Sequence, residues 1–356
     1  MHPNRRICIA ALLGGTLPGF GVLAQSAATE TPSTPRPSST PTPTPSATSL
    51  PTTVNTPSTA DEVWLDPARN REVPVKIRWP DAAVHTGLRP VVIFSHGLGG
   101  TTDGGAVWGE AWSAAGLVVL HLQHAGSDLV AVRAVASSFA DQRALQSVAN
   151  AQQFIARMAD VGFALDELGR RQKAGAGRWA GVRPTAVGMS GHSFGAQTTL
   201  AMAGQRFPGY LGLDEPRLAS FVAFSPAVPL QMAARRSFEP VDRPVLSITG
   251  TLDGDVVGVG NTAERRRQVF GALPAGHKAH LVLNNADHMT FAGQTGRAAE
   301  IIPREQATRN LQAAHHALVA RITTDWWLAT LSGDVAAQAR LLIPSGMMPG
   351  DEWERG

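Results

Sequence analysis

Residues Thr185 to Ala201, TAVGMSGHSFGAQTTLA, constrain the fold more than any other stretch of the chain. A short run, Thr185 to Ser190, reads as a buried strand; it ends in Gly191-His192-Ser193-Phe194-Gly195, and small residues suited to a helix follow from Phe194. Joining a strand to a helix through one serine requires a sharp turn with a strained backbone at that serine. Glycines two residues to either side let strand and helix approach without Cβ clashes. Such a turn lifts the serine Oγ clear of the sheet. It also aims the first helical N–H groups, beginning with that of Phe194, at the place where a negative oxygen forms during acyl transfer. The pentapeptide alone is a weak signal. Its single occurrence, in a strand, turn and helix setting, makes Ser193 a candidate nucleophile.

The surrounding sequence supplies the sheet that such a turn needs. Val73, Val75, Ile77 and Trp79 alternate with polar residues as in a half-buried strand, and Pro74 places that strand towards a sheet edge. Continuous apolar runs follow at Val91–Phe94, Leu117–Leu120, Phe221–Phe224, Val245–Ile248 and His280–Leu283, as expected of strands covered on both faces. Helical spacing links Phe154, Ile155, Met158, Val161, Leu165 and Leu168, and again Leu311, His315, Leu318, Ile322 and Trp326. Strand and helix alternate throughout, so the expected fold class is α/β with a doubly wound, mostly parallel sheet.

In an open parallel sheet the ligand site lies at the carboxyl ends of the strands. Ser95-His96-Gly97-Leu98-Gly99-Gly100 follows the Val91 run, and the N–H of Leu98 is placed to be a second oxyanion donor. The dinucleotide pattern Gly-x-Gly-x-x-Gly is absent and no P-loop lysine follows. The loop after Ile248 carries Asp253 and Asp255, and the loop after Leu283 carries His288. The chain order Ser193, Asp253, His288 suits a serine activated by a histidine base that a carboxylate orients. Asp255 is the runner-up acid, because it lies two residues along the same loop. His121 and His124 follow a strand end, and His315 and His316 lie on a helix; neither pair has the acidic companions a metal site would want, so no metal and no cofactor is expected. Trp108 and Trp112 are candidates for lining an open apolar cleft, although tryptophans at helix spacing are more often core. Segments 129–173 and 204–217 are candidates to cover the site.

These stretches, PVVIFSHGLGG from Pro90, HLQHAGSD from His121, GHSFGA from Gly191, the Asp253 loop and DHMTF from Asp287, make the chain resemble bacterial α/β-hydrolases grouped with platelet-activating-factor acetylhydrolases and dienelactone hydrolases. The resemblance spans about Glu62 to Leu341 and implies an α/β-hydrolase fold. It also implies oxyanion donation by the N–H groups of Leu98 and Phe194. Two positions depart from the pattern. Acetylhydrolases of this kind carry the acid after the strand that follows the elbow strand, where this chain has Ser225-Pro226, and dienelactone hydrolases carry cysteine where this chain has Ser193. The expected reaction is hydrolysis of a small-molecule carboxylic ester. A peptidase or amidase and a lipid or polyester depolymerase are alternatives on the same triad, and a non-catalytic binding module is the alternative of another class.

Both ends read differently from the middle. Residues 1–28 begin with Arg5 and Arg6, continue through an interrupted apolar stretch and end in small residues, the pattern of an export signal. Residues 29–60, rich in Pro, Ser and Thr, read as an extended disordered linker and a candidate cell-envelope tether. The catalytic domain is expected over 61–345, with 346–356 as a tail. Cys8 is the only cysteine and falls in the signal, so no disulfide and no cysteine nucleophile is expected downstream. Net charge is +3 with arginines scattered along the chain, which argues against a nucleic-acid surface. The apolar stretch is too short for stable membrane insertion after cleavage, and a periplasmic or extracellular location is expected.

Overall fold

The structure is a computed structural model that describes residues 58–356. The expected signal, and the linker up to residue 57, lie outside the described residues. In chain order the strands and helices are β1 (Ser58–Asp66), β2 (Arg71–Trp79), β3 (Arg89–Ser95), α1 (Ala106–Ala114), β4 (Val118–Leu122), α2 (Leu129–Val135), α3 (Gln142–Val148), α4 (Ala151–Ala174) and β5 (Val182–His192). They continue with α5 (Phe194–Met202), β6 (Leu218–Phe224), α6 (Ala234–Phe238), β7 (Val245–Leu252), α7 (Ala263–Ala272), β8 (Lys278–Asp287), α8 (Gln306–Ser332), α9 (Val335–Arg340) and β9 (Glu352–Arg355). Each apolar run of the sequence lies on one of these strands, save that Leu117 stands one residue before β4.

The strands form one sheet in the order β1-β2-β4-β3-β5-β6-β7-β8-β9. Neighbours from β4 to β8 are parallel, while β1, β2 and β9 join antiparallel. A parallel sheet with β3 and β4 exchanged, an antiparallel β2 beside β4 and a serine turn after β5 is the α/β-hydrolase fold. Alternation along the strands divides the core into two layers, since successive side chains point to opposite faces. Val91, Ile93, Met189 and Phe221 join Met158, Val161 and Leu200 from α4 and α5 on one face. Val92, Phe94, Val222 and Ile248 join Trp108, Trp112, Leu318 and Ile322 from α1 and α8 on the other.

The sheet extends beyond its expected ends. β1 begins at Ser58, inside the span read as linker, and Glu352–Arg355, inside the span read as tail, pairs antiparallel with β8. Reciprocal backbone bonds between Lys278 and Gly356, 3.0 and 3.1 Å, close that ladder. Pro74 does not mark the edge, because β1 covers β2. Pro74 lies one residue beyond the ladder to β4, which begins at Val75 opposite Leu122, so its missing N–H removes no ladder bond. Its carbonyl accepts the N–H of Gln123 at 2.9 Å.

The short helices α2 and α3 are capped by the side chains of Asp128 and Asp141, which accept the N–H groups of Ala131 and Ala144. They build a third, small apolar cluster from Val132, Ala136 and Leu145, against which Leu98, Phe139 and Val257 pack. Among the described residues no helix is long and apolar enough to cross a membrane.

Candidate active site

β5 runs into Ser193, which holds φ 56° and ψ −113°, and α5 starts at the next residue. This backbone conformation is costly for a residue with a side chain and persists only where the surroundings impose it. Gly191 and Gly195 show how they do. A Cβ on Gly195 would lie 1.9 Å from the carbonyl oxygen of Ser95, and one on Gly191 would lie 2.4 Å from that of Gly195. Strand β3, strand β5 and helix α5 therefore meet at backbone contact. The Ser193 N–H is fixed by the Phe224 carbonyl at 2.9 Å.

Ser193 and His288 line one cleft of about 760 Å³ at the carboxyl ends of the strands. Asp253, which follows β7, is fully buried and faces His288 across 2.7 Å from Oδ1 to Nδ1. The Thr249 hydroxyl donates to its other oxygen at 2.8 Å, and Arg266 Nε lies 3.0 Å from Oδ1. Burial alone would raise the Asp253 carboxyl; the Arg266 guanidinium, followed by the bond from His288, outweighs it and holds the group at about 2. An ionised carboxylate only accepts, so Nδ1 of His288 carries a proton, and in the neutral ring Nε2 keeps its lone pair. Nε2 makes no hydrogen bond among the described residues, and none joins it to Ser193 Oγ. Such bonds are often long in the absence of substrate.

The backbone of His288 is held as firmly as its ring. It begins a 3-10 turn, His288–Ala292, capped by Asp287, whose carboxylate Arg304 grips at 2.7 and 2.9 Å. The His288 carbonyl accepts from His192 Nε2 at 3.0 Å. On the other side of Ser193, a Cβ on Gly97 would lie 3.5 Å from the serine Cβ, so the 96–100 loop passes directly beside that serine. The Gly99 N–H donates to Ser127 O at 2.9 Å. Neither the N–H of Leu98 nor that of Phe194 has a hydrogen-bond partner among the described residues.

Asp255 is turned to other work. Its carboxylate accepts the N–H groups of Val257, Gly258, Gly260 and Asn261, capping the loop that follows. Trp108 and Trp112 do not line the cleft: both are fully buried, because the face of α1 that carries them packs against α8, where Trp112 Nε1 donates to Thr323 at 2.9 Å. Residues of α2, α3 and their connection line the cleft, whereas 204–217 does not. His121, His124, His315 and His316 are buried, and among the described residues no group of three or more His, Cys, Asp or Glu is arranged to hold a metal ion.

Several residues around the site carry no sequence signal of their own. Thr249 and Arg266 hold Asp253, His192 holds the His288 backbone, and Arg157 reaches under the 96–100 loop from the middle of α4. A polar residue inside a helical stretch reads as solvent-facing unless something indicates what lies above it.

No protein-family model and no curated protein matches the chain. Among solved structures the chain is similar to dienelactone hydrolase from Anabaena variabilis, at 17% identity and a TM-score of 0.48, over 77% of this chain and 99% of that one. It is also similar to 2,6-dihydroxy-pseudo-oxynicotine hydrolase, at 16% identity and a TM-score of 0.48, over 78% of this chain and 69% of that one.

Proposed function

We propose that this chain is a serine hydrolase that cleaves carboxylic esters through an acyl-enzyme. The observation that carries the reading is the buried Asp253–His288 pair, 2.7 Å apart, sharing a cleft with a serine on a strained strand-to-helix turn. Ser193 Oγ attacks the ester carbonyl while His288 Nε2 takes its proton. The N–H groups of Leu98 and Phe194 receive the charge that develops on the carbonyl oxygen. His288 then returns the proton to the departing alkoxide. Water repeats the sequence on the acyl-enzyme and frees the acid. Asp253 fixes the tautomer of His288 and stabilises the imidazolium formed at each step. Leu98, Val132, Ala136, Phe139, Leu145 and Val257 give the cleft a largely apolar wall, which favours an apolar acyl or alcohol group. The pattern of residues 1–28 supports action outside the cytoplasm. Treatment with a fluorophosphonate followed by peptide mass mapping tests the site, and a series of nitrophenyl esters tests the substrate class. Modification of the Ser193 peptide is expected; modification confined to another serine would remove the assignment.

A further inference from the structure

The two proposed oxyanion donors sit on separate segments, Leu98 on the loop after β3 and Phe194 at the start of α5. Their spacing must be right to a fraction of an ångström for both to reach one oxygen. Beneath them lies Arg157, a fully buried cation on α4. Its Nε donates to Thr198 Oγ1 on α5 at 3.1 Å, one terminal nitrogen donates to Ser127 Oγ at 2.8 Å, and the other donates to Ser95 Oγ at 3.0 Å and to the His96 carbonyl. The guanidinium also lies 4.7 Å from the centre of the Phe194 ring. Thr198 in turn donates to the Phe194 carbonyl at 2.9 Å, and Ser127 O receives the Gly99 N–H. One planar group thus grips both walls of the oxyanion site and the loop that supports one of them.

The arrangement is expensive for a merely structural contact. Among the described residues no carboxylate lies within ion-pair distance of Arg157, so its charge is buried among neutral acceptors. Burial pushes its pKa down to about 9, with partial compensation from the charges of Asp160 and Asp128. A lysine could supply the charge but not the fork, because an ammonium on a flexible stem cannot satisfy three segments in one plane.

We propose that Arg157 is a positioning residue that sets the distance between the Leu98 and Phe194 N–H groups through its forked geometry. The inference rests on the serine hydrolase reading for its catalytic consequence, but the bracing is separable from it. Arg157→Lys is expected to lower kcat on a nitrophenyl ester about 10- to 100-fold with KM within about threefold, the scale of a small misplacement of catalytic groups. Affinity for a boronic acid, which presents a tetrahedral oxyanion, is expected to fall in parallel. Amide hydrogen exchange is expected to rise in peptides covering 95–100 and 193–198. Thr198→Val, which removes one of the Arg157 bonds together with the bond from Thr198 to the Phe194 carbonyl and leaves the cation, is expected to move the same quantities less. Wild-type kcat and boronate affinity in folded Arg157→Lys would overturn the proposal. Should that variant fail to fold, Thr198→Val decides, and unchanged kcat there overturns it equally. A wild-type protein without esterase activity, combined with raised exchange in those two segments of the variant, would remove the hydrolase reading and keep the brace.

Discussion

The described residues hold two Asp–His–Ser arrays, and among them only one opens onto a cleft. In the first, Asp253 faces His288 Nδ1 at 2.7 Å and Nε2 looks towards the space beside the partly exposed Ser193. In the second, Asp160 faces His124 Nδ1 at 3.0 Å, and His124 Nε2 is already met by Ser95 Oγ at 2.9 Å. The second array has the complete hydrogen-bond chain that the first lacks, yet it has nowhere to put a substrate. Ser95 is fully buried and its oxygen accepts from Arg157, so its hydroxyl proton is committed to His124. The carboxylates differ as well. Asp160 accepts from Arg69 and Arg71 in addition to His124; against burial, which would raise it, the bonds and charges of His124 and Arg71 hold its carboxyl well below the usual carboxylate range. Residue types in line do not make a catalytic triad; on the proposed reading, the histidine position left unfilled beside a cleft is what sets the first array apart.

The largest effect expected from this contrast is at the serines. Ser193→Ala should lower turnover about a million-fold, the scale found when a triad serine is removed, without loss of fold. Ser95→Ala should keep fluorophosphonate labelling at Ser193 and cost about 1–3 kcal/mol in urea unfolding, because it leaves buried partners unsatisfied. Labelling lost in the second variant and kept in the first would invert the roles. The aspartates come next. Asp253→Asn should reduce turnover about ten-thousand-fold by leaving His288 in the wrong tautomer. Asp160→Asn should act mainly on stability, by about 3–5 kcal/mol, since it strips the shared carboxylate from two arginines and a buried histidine.

Acid sharpens the comparison further. Burial pushes the His124 imidazole down to about 4, despite the Asp160 carboxylate, and the fully buried His121 down to about 3. The folded state refuses protons that the unfolded chain takes up near the ordinary value of about 6.5. The stability these groups contribute is therefore complete above about pH 6.5 and is lost as pH falls towards about 4 for His124 and about 3 for His121, by up to about 1.4 kcal/mol per pH unit for each histidine. Urea midpoints measured from pH 7 to pH 5 should fall, and His124→Gln should flatten the slope; a midpoint constant over that range would contradict the buried array. The smallest effect is expected at Asp255, whose carboxylate caps its own loop: Asp255→Asn should change turnover by less than about tenfold. A loss there matching that of Asp253→Asn would assign the open array a different acid.

Much of this was legible in the sequence because the strands of a covered parallel sheet are continuous apolar runs, and the site residues follow where those runs stop. Ser193, Asp253 and His288 stand in the turns and loops that follow the runs of β5, β7 and β8, in the chain order that made them candidates. That the Asp255 carboxylate caps its own loop is visible only in the four N–H groups that turn towards it. β9 was not legible: Glu-Trp-Glu-Arg is charged and short, and it is a strand because β8 offers an open edge. Arg157, Asp160 and Arg266 escaped for the opposite reason. Polar residues on helices read as facing water, and these three are buried by segments remote in the chain. Trp108 and Trp112, read as candidate cleft walls, belong to the core between α1 and α8.

The contact between Gly195 and the Ser95 carbonyl separates two demands that the pentapeptide writes together. The glycines answer to the meeting of three backbones, whereas the serine, on the proposed reading, answers to the reaction. A descendant of this chain without the proposed hydrolysis would be free to exchange Ser193 for another residue able to hold its backbone angles. It would still be bound to keep both glycines, for the same sheet would still have to close over them. Retained glycines around a changed central residue would thus record ancestry, and the central residue alone would report on present chemistry.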